Sequence, residues 1–279
     1  MHPRAVIKHK KGFGQQGFTL AETAIALAVI AIVIGALVPT FLSIRVAEQS
    51  RATAQNLQSA MRAVAAFVHS AGCLPCPTDV MNGTAGWGIV RGDTRDNPPS
   101  CAACEHAVGH LPFCSLGLPE SFAKDAYGHW LTYAVDTRLA SFVAEGSNTQ
   151  LPVFGTTGFC NSSVMPTNAL TVAISNGQPQ KNIAVMILSH GANGRGAYVN
   201  VQQSDINIER LPFPNTVPTC SIADQTGAER CNARGKDNTQ FVAALPAQGA
   251  DPFDDVMLYF DRNALVTYLG NKPCETEWK

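Results

Sequence analysis

The sequence has no surplus of charge of either sign. Lys and Arg number 20 against 21 Asp and Glu, a formal net charge of −1. Without a basic excess there is no electrostatic footprint for nucleic acid. No internal repeat is evident. No acidic residue precedes Glu22, and between Phe18 and Val38 Glu22 is the only ionisable side chain. Signatures of common chemistry are missing too. There is no paired-carboxylate, nucleophile–base or metalloprotease pattern. Gly191-Ala192-Asn193-Gly194-Arg195-Gly196 lacks the Lys-Ser/Thr end of a phosphate-binding loop. Asp251, Asp254 and Asp255 lack the spacing of an EF-hand loop.

What is present at the N-terminus is a long apolar run. It extends from Phe18 to Val38, close to the ~20 residues that a helix needs to cross a bilayer core. Arg4, Lys8, Lys10 and Lys11 precede it. Such basic flanks keep the N-terminus in the cytoplasm. Glu22 is the anomaly, because a charge in hydrocarbon costs at least ~2.5 kcal/mol and marks a function or a partner. An ordinary secretory signal has a shorter apolar core and a small-x-small cleavage site. Pro39-Thr40-Phe41 supplies no such site.

The order of basic leader, Gly17, Phe18, Thr19, Leu20, Ala21, Glu22 and apolar helix resembles the N-terminal signal of type IV pilins and type II secretion pseudopilins. The resemblance is carried by residues 12–40. It implies cleavage by a prepilin peptidase between Gly17 and Phe18, with N-methylation of Phe18. It implies assembly through Glu22, a helix-bending role for Pro39, and partners among other pilin or pseudopilin subunits and an inner-membrane assembly platform. Asp125-Ala126-Tyr127-Gly128 leading to Tyr133 resembles a loop-to-strand segment of major pseudopilins, with alanine and tyrosine replacing proline and tryptophan. Cys73-Leu74-Pro75-Cys76-Pro77 and Gly109–Pro119 look like segments of larger pilin-like proteins.

Residues 1–17 are therefore expected to be a cleaved leader and 18–70 one helix, membrane-spanning to about residue 39 and amphipathic beyond. Ala47, Ala54, Leu57, Met61, Val64 and Val68 form an apolar stripe. Pro39 should bend the helix, and Ala71-Gly72 should stop it. Residues 71–279 form the expected globular domain, facing the periplasm or exterior, with a turn-rich, Cys-rich region at 72–120. Strand-like runs follow at 130–135, 170–175, 183–189, 197–201, 256–260 and 264–269. Weak helical periodicity between them favours an antiparallel sheet. The expected fold is α+β, pilin-like: a long N-terminal helix packed on a mostly antiparallel sheet.

The nine cysteines offer two chemistries. Cys73, Cys76, Cys101 and Cys104 are paired as in a zinc ribbon, with His106 and His110 nearby. In an oxidising compartment disulfides are preferred, and Cys114 lies in the same region. One cysteine of each pair would then be linked, clipping the loop to the end of the helix. Cys220 and Cys231 could close a second loop. A thioredoxin-like role for Cys73 and Cys76 lacks its βαβ context. Ser189-His190 tempts a nucleophile reading, but strand neighbours point to opposite faces. A hairpin turning at Asn193-Gly194 is expected there. Asp251, Asp254 and Asp255 could hold calcium, although a solvated acidic turn is the preferred reading. No cofactor is expected, with zinc or calcium as the alternatives. The functional expectation is a structural filament subunit, minor or specialised, and not an enzyme. The rival is a signal-anchored periplasmic enzyme or metal-binding domain.

Overall fold

The computed structural model describes residues 19–78, 88–89, 104–140, 159, 169–175, 177–198, 210–249 and 251–268. Gly17, Phe18 and Cys101 lie outside the described residues. The chain divides into two units, Met1–Glu48 and Gln49–Lys279. Helix α1, Leu20–Ala71, contributes to both.

In the first unit α1 is apolar and exposed, with Leu20, Ile25, Leu27, Ile32 and Leu37 all open. The helix continues through Pro39. Ala47, expected on the apolar stripe, is exposed.

In the second unit the stripe becomes core. Leu57, Met61, Val64 and Val68 are buried against Tyr133, Val135, Val185 and Ile187. Four such side chains contribute roughly 1.5–3 kcal/mol each on burial. Gly72 ends the helix: its amide donates to the Val68 carbonyl at 2.8 Å, and its φ of 74° is left-handed backbone that glycine adopts without a Cβ penalty.

Among the described residues the sheet has six strands. These are β1 (Val108–His110), β2 (Thr132–Val135), β3 (Leu170–Ile174), β4 (Gln180–Ser189), β5 (Gln240–Ala243) and β6 (Val256–Asp261). β4 is the central strand, pairing antiparallel with β2, β3 and β6. β3 pairs parallel with β5, so the sheet is mixed but mostly antiparallel. The period-two pleat sorts its side chains between two layers. Tyr133 and Val135 face α1, while Ala134 joins Leu170, Val172, Met186 and Phe241 in a second cluster. The short helix α2, Thr137–Ala140, follows β2, and α3, Ala228–Asn232, precedes β5. Ala228 and Cys231 of α3 pack with Ala173, Val242 and Phe253. The fold is the expected α+β class.

Two expected elements differ. Residues 264–269 are read as a strand, yet Arg262–Tyr268 is helix α4. Its cause is Asp261, whose Oδ1 accepts the Ala264 amide at 2.7 Å, an N-cap at the end of β6. The Asn193-Gly194 turn does not form the expected hairpin either. Gly194 donates back to the His190 carbonyl at 3.1 Å, but Tyr198 then bridges Trp130 and Arg210 instead of returning along β4. β1 and β5 carry three and four residues, too few for a period to show.

Candidate functional site

The N-terminal site is built from the first turn of α1. The Thr19 amide donates to Glu22 Oε2 at 2.9 Å and the Thr19 hydroxyl at 3.0 Å, while the Glu22 amide donates to Thr19 Oγ1 at 3.3 Å. This is a capping box: both side chains satisfy amides that the first helical turn leaves without partners. The carboxylate is thus held at the very start of the helix. Beyond it, α1 offers no other charged side chain until Arg45. Arg45 lies over the Phe41 ring at 4.7 Å.

Among the described cysteines, all but Cys114 are disulfide-bonded. Cys76 and Cys104 are joined with Cα atoms 5.3 Å apart, 28 residues apart in sequence. Neither sulfur is then a thiolate for zinc, and Cys76 is not half of a Cys73–Cys76 redox pair. Cys73 is disulfide-bonded as well. His106 lies 3.5 Å from Asp237, and the ring of buried His110 lies tilted against Tyr198, centroids 4.2 Å apart. Cys220 and Cys231 form a second bridge. Cys114 is a half-buried thiol.

The loop after β4 gathers several buried polar side chains, among them Ser189 and His190. Ser189 is paired with a carboxylate rather than with His190. Its hydroxyl donates to buried Asp125 at 2.7 Å, and Asp125 Oδ1 accepts the Tyr127 and His129 amides at 2.9 and 2.8 Å. Asp125 therefore shapes the 125–129 turn and ties it to the end of β4. His129 Nδ1 lies 3.1 Å from the Gly191 carbonyl. His190 is fully buried, with Nε2 3.0 Å from Thr132 Oγ1 and Nδ1 3.6 Å from Asp255 Oδ1.

Beside His190 sits a group of acids that sequence spacing does not join. One carboxylate oxygen from each of Glu229, Asp254 and Asp255 lies within 4.8 Å of the others, the one such metal-competent group among the described residues. Asp251 is elsewhere: its Oδ2 accepts the Gly227 amide at 3.0 Å. Glu229 takes its place, delivered by α3 from 25 residues before Asp254. Burial pushes the Glu229 carboxyl up to about 7; the Asn193 hydrogen bond opposes this, and the charges of Asp255 and Asp254 add to it. Burial raises Asp254 as well. Sequence spacing gives no sign of Glu229, which stands far from Asp254 and Asp255 along the chain.

Comparison with known proteins bears on the first site. Residues 8–38 match the family described as the prokaryotic N-terminal methylation motif. This is the prepilin-type cleavage and methylation signal of type IV pilins and pseudopilins, and the chain carries it. The motif implies processing by a prepilin peptidase and assembly with pilin subunits, and it points to a structural subunit. No curated protein and no solved structure matches the chain.

Proposed function

We propose that this chain is a pilin or pseudopilin, a minor or specialised structural subunit of a type IV pilus or type II secretion filament. The observation that supports it is the methylation motif over residues 8–38, running directly into an exposed apolar helix with Glu22 at its head. In this reading the precursor sits in the inner membrane with its N-terminus cytoplasmic and its globular domain periplasmic. A prepilin peptidase cuts between Gly17 and Phe18 and methylates Phe18. The assembly platform then extracts the subunit into a filament.

The mechanism is physical. The apolar half of α1 leaves lipid for a bundle of the same helices, so the move changes little apolar exposure. Glu22 supplies the specificity. In the bundle its carboxylate meets the Phe18 ammonium of a neighbouring subunit or of its own chain. Opposite charges in a low-dielectric bundle attract, and either charge alone is penalised. The disulfide-bonded domain coats the outside, where disulfides persist.

Replacing Gly17 with tryptophan tests the cleavage point. Gly17→Trp should leave the precursor uncut in cells with an active prepilin peptidase. Complete processing of that variant would remove the assignment.

A further inference from the structure

We propose that Arg45 binds a phospholipid phosphate at the outer face of the membrane, with Phe41 holding its guanidinium, and so fixes where α1 leaves the bilayer. The inference rests on the reading of α1 as a membrane span and adds a ligand at its outer end. Apolar surface on α1 does not stop at Pro39. Phe41, Ile44 and Val46 stand open beyond it, as Leu37 does before it. Keeping such side chains in water is costly, which favours a bilayer that extends past the proline.

Charge gives the same boundary. Residues 23–44 carry no ionisable side chain, and Glu22 and Arg45 bracket them. All of them lie in one continuous helix. At ~1.5 Å per residue this charge-free stretch is about 33 Å long, close to the ~30 Å of a hydrocarbon core. A span ending at Pro39 would measure about 25 Å, shorter than that core. With Glu22 at the inner interface, Arg45 therefore comes to the outer headgroup layer, where phosphates are the abundant anions.

The side chain is arranged for such an anion. The Arg45 guanidinium carbon lies 4.7 Å from the centroid of the Phe41 ring. Phe41 is one turn back along the helix, on the side of the membrane, so the aliphatic stem runs along apolar surface and the charged head stays at the interface. The ring takes one face of the planar guanidinium and leaves its rim of N–H donors open. Among the described residues Arg45 has no hydrogen bond or ion pair, and Glu48, one turn further on, does not engage it. A phosphodiester offers the paired oxygens that a guanidinium takes bidentately. No acidic side chain between Glu22 and Glu48 competes for the place.

The test uses the whole chain as its native membrane yields it, labelled with carbon-13 at the arginine guanidinium and reconstituted in vesicles of phosphatidylglycerol and phosphatidylcholine. Flotation reads membrane insertion. Solid-state NMR reads dephasing of the arginine carbons by lipid phosphorus. The expected result is a dephased arginine signal that Arg45→Gln removes and Arg51→Gln retains. Phe41→Leu, which keeps the apolar bulk but loses the ring, should weaken the signal. Both positions are exposed, so neither substitution disturbs a core. Protein that floats with the vesicles but shows no dephasing, or dephasing undiminished in Arg45→Gln, would overturn the contact and leave the membrane span standing. Protein that does not float with the vesicles would overturn both.

Discussion

Thr19 and Glu22 hold each other at the head of α1, the Thr19 amide on Glu22 Oε2 at 2.9 Å and the Glu22 amide on Thr19 Oγ1 at 3.3 Å. The carboxylate that the proposed assembly step needs is thereby kept at the helix terminus, where an anion is favoured by the helix dipole. Removing it separates insertion from assembly. Glu22→Ala should fractionate with the membrane like the wild type, because the apolar run is intact. Its sheared-filament yield should fall severalfold. Wild-type yield would refute the charge-pairing role.

The Cys76–Cys104 bridge spans 28 residues and lies beside the C-terminal end of α1. Closing a loop of this size contributes roughly 3 kcal/mol through chain entropy. Cys76→Ser with Cys104→Ser should lower the Tm by several degrees, measured by scanning calorimetry. An unchanged Tm would mean that packing alone holds the loop.

Gly191 is a position where a single methyl group should be felt. Gly191→Ala places a side chain at φ 62° and against Asp254. A destabilisation of about 1–3 kcal/mol is expected, read from chemical denaturation. Gly235→Ala, where a Cβ would meet nothing within 4 Å, is the control and should change little.

Glu229 gives the pH dependence a sign. Its carboxyl is raised from an ordinary 4.5 to about 7, so the folded state binds a proton that the unfolded state releases. The stabilising contribution is complete below about 4.5 and is lost as pH rises through about 7. The protein should therefore be less stable at about pH 8 than at about pH 5, by on the order of 1–3 kcal/mol from this group. Glu229→Gln should flatten that slope. A slope unchanged by the substitution would place the titration elsewhere.

Much of the architecture is readable because it is contiguous. The leader signal, the apolar run and the stripe from Leu57 to Val68 are local patterns with a fixed period, and α1 follows them. The runs that became β3, β4 and β6 are long enough to show strand composition. What fails is what depends on partners. Asp261 reads as part of a turn, but with β6 complete behind it the same residue caps α4. Asn193-Gly194 reads as a hairpin, but Asp254 and Glu229 engage Asn193 and turn the chain toward Trp130 and Arg210. The acidic cluster was half legible: Asp254 and Asp255 stand together in sequence, while Glu229 reaches them only through α3 and the Cys220–Cys231 bridge.

The most direct measurement is the intact mass and N-terminal peptide of the protein taken from its native membrane. A chain beginning at Phe18 and carrying one added methyl group is the predicted result. A chain still beginning at Met1, in cells whose prepilin peptidase is active, would contradict the account.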